Sequence, residues 1–488
     1  MRRAAIGPVL APLLLAPLLL APLLLAACAV GDDYARPDLA LPGSFRGASA
    51  DGAALGVRDW RSVFTDPSQQ AWIEATLAGN LDLRVAQARV REAQAGVVAA
   101  RSGALPGVAL GLTTAPTARR PGDSMTASTL AAGLLTWEVD LWGRVARGTE
   151  AARADLEGRR AARDGAQVSL VAQAAGRWHE LAALRSLLAI TERNVQLQAD
   201  SLRLMRRRNQ AGIVSGAEVR QAEGQLASTQ ARVPELRRQM AATENALSLL
   251  AGRAPAAVAT GPGSTLEAAA DAARLLPPAL PAGLPAALIE RRPDLREAEQ
   301  RLVAANARVG EAKALLLPSL SLTGAVGRIG FELERLFSSG GASEVVSLGP
   351  NVTQTLYAGG ALRANRDAAL ARLDQALLAY RSTALNALRE VADALKAYEE
   401  SGVALERQAE RVTAQRAALG LADRRFAAGV VSFIEVLDAQ RQLLAAETDH
   451  VSALLTRQQA VVQLYRALGG GWSEVVGAGR AAAPVAGG

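Results

Sequence analysis

Hydrophobic and polar positions along the chain fall into two kinds of pattern. In the first, alanine, leucine and valine recur at three- and four-residue spacing over long stretches, the period of a helix with an apolar stripe. From Gly143 to about Asn209 no proline interrupts it. At ~1.5 Å rise per residue such a helix is a rod of roughly 100 Å, far longer than a globular domain needs. In the second pattern, apolar residues alternate with small or polar ones. "PGVALGLTT" puts Val108, Leu110 and Leu112 on one face, and "PSLSLTG" does the same with Leu320 and Leu322. "LLTWEVDLW" and "VSLGPNVTQTLY" carry two further alternating runs. Period-two alternation with small residues inward is how a membrane β-barrel strand reads, although a soluble hairpin reads the same way. Turn formers fill the intervening "TARRPGDSMTA" and "GRIGFELERLFSSGGASE".

These parts occur twice. Asp82 and Pro106 recur as Asp294 and Pro318, an offset of 212 residues. Gly143 and Gly212 recur as Gly360 and Gly429, an offset of 217. The turn "RRRNQAGIVSGAEVRQAE" returns as "RRFAAGVVSFIEVLDAQ". Each half therefore reads helix, strand pair, long helix, helix, which predicts two similar structural units and not a short solenoid period. Asp82 and Asp294 are the predicted N-caps of the first helices, which stop at Pro106 and Pro318. Gly212 and Gly429 break the long rods, and return helices run to about Gly252 and Gly469. Four strands cannot close a barrel around a channel, so a barrel requires strands from other copies of the chain.

The N-terminus changes the picture of where this chain works. "MRRAAIGPVLAPLLLAPLLLAPLLLAAC" has two arginines, an apolar run built on a repeated "APLLL", and small residues before Cys28. This reads as a signal peptide over residues 1–27. Leu25-Ala26-Ala27-Cys28 resembles a bacterial lipobox, which implies lipidation of Cys28 and cleavage before it. The resemblance also implies export to the outer membrane, because Ala29 is not the aspartate of the usual retention signal. Acyl chains tether a protein and do not span the bilayer.

Composition adds mainly exclusions. Half of the 488 residues are apolar but only 3% are aromatic, which suits long helices packed over small side chains. The formal charge of +7 falls to +5 when residues 1–27, with two arginines and no acids, are removed. Arginines interleave with glutamates and aspartates along helical windows, the pattern of solvated helix faces and not of a nucleic-acid surface. One cysteine forbids an intrachain disulfide. His179 and His450 are far apart, no cluster has metal-ligand spacing, and no glycine-rich phosphate loop follows a strand. No cofactor, metal site or enzymatic activity is expected beyond the covalent lipid.

The order of parts resembles the TolC-like outer-membrane factors, in the lipoprotein branch that serves resistance-nodulation-division efflux pumps. "CAVGDDYARPDLALPGSF" looks like the family's lipidated strap. "DWRSVFTDPSQQAWIEATLAGNLDL" resembles its opening segment, with Trp60, Phe64, Asp66, Pro67 and Asn80 in place. "ERRPDLREAEQRL" is similar to the start of its second half, and "VDLWGR" and "LYAGG" to its strand–helix junctions. The resemblance implies a mainly α fold with membrane β: a trimeric outer-membrane β-barrel, four strands per chain, continued by a long periplasmic α-helical barrel. On that plan residues 28–65 are an extended strap, 66–252 and 286–469 the two repeats, 253–285 a linker, and 470–488 a flexible tail. The implied partners are two further copies of the chain, outer-membrane lipid, a periplasmic adaptor and an inner-membrane transporter.

By the same resemblance the two similar turns are periplasmic tips. Ala211, Gly212, Ile213 and Ala428, Gly429, Val430 match the motifs that dock the adaptor. Glu435 and Asp438, three apart on one helix face, match acids that ring the constriction; Glu218 is the first-tip counterpart of Glu435. Some members carry a tyrosine and an arginine where this chain has Phe426 and Val431, so the family's polar lock to Glu218 is absent here. The expectation is a gate held by apolar packing of Phe426, Val431, Phe433 and Leu437, plus the acid ring. The function implied is passive conduction of small toxic compounds; the same duct used for protein secretion or metal-ion efflux, or a lipid-tethered coiled-coil scaffold, are the other readings.

Overall fold

The computed structural model describes residues 30–39, 42–44, 59–117, 126–258, 290–330 and 343–470. The signal peptide, Cys28, most of the linker and the tail fall outside the described residues. The elements are α1 (Trp60–Val63), α2 (Pro67–Gly79), α3 (Leu81–Ser102), β1 (Gly107–Thr117), β2 (Thr126–Val139), α4 (Arg144–Gln210), α5 (Gly216–Leu250), α6 (Pro293–Ala314), β3 (Ser319–Gly330), β4 (Ser343–Thr353), α7 (Ala361–Ala427) and α8 (Phe433–Ala467). The duplication is metrical: α3 and α6 have 22 residues each, α4 and α7 have 67, and α5 and α8 have 35. The chain divides into two compact units, one containing residues 88–160 and 297–382, the other 161–296 and 383–488, with parts of the N-terminal region in each.

The first unit carries one antiparallel sheet, in the order β1-β2-β3-β4. The register lines up Leu110, Gly133, Val326 and Val346 in one row, and Val108, Leu135, Gly324 and Leu348 in the next. Paired residues share a face, so one face gathers the large apolar side chains. They lie bare to solvent: Leu110 is 94% exposed, Val108 78% and Val346 77%. The opposite face carries rows such as Gly107, Thr136, Thr323, Gly349 and Ala109, Leu134, Ala325, Ser347. Both outer strands, β1 and β4, have no second neighbour among the described residues.

The sheet is pinned to the helices below it. The indole N–H of Trp137 donates to the Ala104 carbonyl at 3.1 Å, and that of Trp142 to the Pro318 carbonyl at 2.7 Å. Packing under the sheet is tight because the contact residues are small: Ala151 and Ala154 of α4 meet Ala304 and Ala307 of α6. The strap starts here. The Val30 N–H donates to the Trp142 carbonyl, Arg147 reaches both the Gly31 carbonyl and Asp33, and Arg36 and Tyr34 both donate to Glu299. Gly31 crosses so close that a Cβ on it would stand 2.8 Å from Gly310 Cα.

In the second unit the same structural task recurs with different residues. Asn80 donates through Nδ2 to the Leu250 carbonyl at the end of α5, at 2.9 Å. Its counterpart 212 residues on, the buried Arg292, donates to the Ala467 carbonyl at the end of α8, at 2.8 Å, and pairs with Asp294 and Glu390. Asn80 Oδ1 also accepts from the Leu83 N–H, so the cap of α3 is Asn80 and not the expected Asp82, which sits inside the first turn. In α6, Pro293 opens the helix and Asp294 is likewise in the first turn.

Near α2, His179 is buried, 3.2 Å from Gln69 through Nε2 and 6.5 Å from the Phe64 ring, and its Nδ1 has no hydrogen-bond partner among the described residues. Burial pushes the imidazole down to about 4. An unfolded histidine titrates near 6.5, so acid protonates the unfolded chain first. Stability contributed by this neutral histidine is full above about pH 6.5 and declines as pH falls towards about 4. Thermal unfolding between those limits should show the decline, and His179→Gln should flatten it; an unchanged slope contradicts the assignment.

Candidate functional site

The candidate site is the pair of helix reversals, α4 to α5 and α7 to α8. Each long helix ends in the same cap. The Gly212 N–H donates to the Asn209 carbonyl and the Ile213 N–H to the Arg208 carbonyl, both at 2.9 Å. The Gly429 N–H donates to Phe426 at 3.0 Å and the Val430 N–H to Arg425 at 2.9 Å. This double bond pattern is the Schellman motif, which needs a left-handed residue at its corner. Gly212 and Gly429 both supply it, at φ +73°. The corner pushes Ile213 and Val430 outward, 69% and 68% exposed, and Ala211, Gly212, Ala428 and Gly429 are exposed with them.

The two return helices then start differently. In α5, Ser215 and Glu218 form a reciprocal capping box, with the Ser215 N–H donating to Glu218 at 2.9 Å and the Glu218 N–H to Ser215 Oγ at 3.3 Å. In α8, Ser432 makes no side-chain cap bond. Glu435, the counterpart of Glu218, instead accepts from Arg425 at 2.5 Å across the turn. Asp438 pairs with Arg441, one helical turn along. Both acids are exposed, and each has a guanidinium on it.

Beneath the turns all four helices contribute to one core: Leu202 and Met205 of α4, Val219 and Ala222 of α5, Ala422 of α7, and Phe433, Val436 and Leu437 of α8. Phe426 packs against this core from the side, its ring 5.3 Å from that of Phe433, and the Arg208 guanidinium lies 4.7 Å over it. Of the residues expected to gate by apolar packing, Phe433 and Leu437 are thus 2% and 8% exposed inside their own chain. Phe426 and Val431 are half-buried. The expected residues are brought together, but as the core and rim of one tip. Arg441 lies at helical spacing from Asp438, but Arg425 escapes the periodicity, ten residues before Glu435, a spacing no repeat pattern marks.

This architecture has close counterparts. The model of the family described as outer membrane efflux protein matches residues 72–253 and 284–470, one segment per repeat. The chain belongs to that family. It is 34% identical over 462 residues to the outer membrane protein OprJ of Pseudomonas aeruginosa, covering 92% of this chain and 94% of that protein. It is 32% identical over 470 residues to the antibiotic efflux pump outer membrane protein ArpC of Pseudomonas putida, with the same shares covered. Among solved structures, the open-state MtrE outer membrane channel of Neisseria gonorrhoeae superposes with a TM-score of 0.81 at 29% identity, over 91% of this chain and 98% of that one. The family role is that of an outer-membrane efflux channel, and the mainly helical fold is the TolC-like one.

Core and rim positions of the tip respond differently to substitution. Leu437→Ala should destabilise the tip by about 2–4 kcal/mol through the cavity it leaves. Glu435→Gln should cost under about 1 kcal/mol, as exposed ion pairs do. Hydrogen exchange of the tip amides reads both; equal effects would contradict the burial of Leu437.

Proposed function

We propose that three copies of this chain assemble into one outer-membrane duct through which small toxic compounds and drugs leave the cell. Each copy contributes its four strands to a single twelve-stranded barrel. The observation that carries this reading is the sheet: a bare face of Val108, Leu110, Val326, Val346 and Leu348, a reverse face on which glycine, alanine, serine and threonine surround Leu130, Leu134 and Ile329, and two edges with no partner strand among the described residues. In a barrel the first face meets lipid, the second lines water, and closure pairs both edges. The long helices α4 and α7 with their return helices form the periplasmic tunnel. Acyl chains on Cys28 anchor the strap, which the contacts of Val30 and Gly31 with Trp142 and Arg147 hold beside the strand ends.

In this reading the tips receive a periplasmic adaptor, and an inner-membrane transporter of the resistance-nodulation-division class supplies the energy. The duct itself conducts passively. The ArpC resemblance supports a drug-type cargo. At the constriction, Glu435 and Asp438 line the mouth with Arg425 and Arg441 beside them, so the ring is a mixed-charge belt and a weaker cation attractor than bare acids. Phe426, Phe433 and Leu437 pack the second tip into the core it shares with the first, Val431 lies half-buried at the turn, and Glu218 secures the first tip through its capping box.

Drug susceptibility of a deletion strain tests the proposal. Loss of the chain should sensitise the cell, the wild-type gene should restore resistance, and Cys28→Ser should restore it less well. A deletion that leaves susceptibility unchanged contradicts the reading.

A further inference from the structure

The two tips differ in their caps and charges yet repeat one surface. Leu204, Arg207 and Ile213 of the first tip correspond, at the offset of 217, to Leu421, Arg424 and Val430 of the second. The leucines are 41% and 54% exposed, on helices whose other face is packed into a core. Leucine and arginine are three apart, so they share a face of their helix.

The arginines stand out by their lack of partners. Around the tips Arg203 pairs with Asp200, Arg206 and Arg220 with Glu223, Arg425 with Glu435, and Arg441 with Asp438, while Arg208 lies on the Phe426 ring. Arg207 and Arg424 are exposed and have no carboxylate or ring contact among the described residues. The adjacent pair Arg208 and Arg425 serves the fold through its side chains; the side chains of Arg207 and Arg424 make no such contact among the described residues. A cation beside an exposed leucine and an exposed aliphatic knob, presented twice, is half of a complementary contact.

We propose that Arg207 and Arg424 recognise a carboxylate on the adaptor, each tip docking one helical hairpin whose turn places an aspartate or glutamate one helical turn from an apolar residue. The apolar residue seats against Leu204 and Ile213, or Leu421 and Val430, and the carboxylate meets the guanidinium. This rests on the adaptor-docking role assigned to the tips above and adds the chemistry of the partner.

The test uses the full chain in lipid nanodiscs and disulfide-closed two-helix hairpin peptides with a leucine at the turn and, one turn away, glutamate, glutamine or lysine. The glutamate peptide should bind about tenfold more tightly than the glutamine peptide at low salt, and the lysine peptide more weakly still. The advantage should shrink with added salt. Two peptides should bind per chain, and Arg207→Glu with Arg424→Glu should invert the preference towards lysine. Equal binding of all three peptides overturns the carboxylate inference alone. Absence of binding by any peptide overturns it together with the docking role it rests on, and a charge reversal that instead dissociates the assembly assigns these arginines to contacts between copies of the chain and overturns it too.

Discussion

The structure turns on one constraint: at membrane depth every backbone N–H and C=O must find a partner, because lipid offers none. Among the described residues β1 and β4 have no partner strand along their outer sides. The exposed row of Val108, Leu110, Val346 and Leu348 poses the same problem in hydrophobic form. A soluble protein would blunt such edges with charges or cover them. Here the large apolar residues lie bare on one face. Trp137 and Trp142 fasten the sheet to the Ala104 and Pro318 carbonyls at the ends of the adjoining helices.

Duplication explains how one chain achieves this with few kinds of residue. The repeat preserves jobs more than identities. Asn80 and Arg292 both hold the carbonyl at the end of a 35-residue helix, one with an amide and the other with a buried guanidinium braced by two acids. Gly212 and Gly429 make the same corner at the same φ. The copies have diverged where the tips meet: Ser215 and Glu218 close a capping box, whereas Glu435 has left that role for Arg425. Asn209 clasps the Val214 carbonyl, while its counterpart Phe426 packs on Phe433. The first tip is fastened by a capping box and an asparagine clasp, the second by an ion pair and aromatic packing.

The strands and the long helices were legible because their signals are local: period-two alternation, period-3.6 stripes without proline, and glycines at the reversals. Long-range pairing hid the rest. Gly327 to Gly330 read as loop from composition, yet they pair in β3 with Ala132 to Thr129, where the ladder outweighs glycine's poor strand propensity. Nothing local shows that Leu202, Met205, Val219 and Ala422 converge on Phe433 and Leu437, so the burial of these two was not legible. Asp82 looked the better cap, but Asn80 also reaches Leu250, and an amide can accept and donate at once. Pro234 lies inside α5 although proline usually ends a helix.

The number of chains in the lipid-embedded particle tests the central claim most directly, and native mass spectrometry of the mature protein released from a bilayer counts them. Three chains per particle is the result expected if the free edges of β1 and β4 are completed by neighbours. A stable single-chain particle that retains its strands would contradict it.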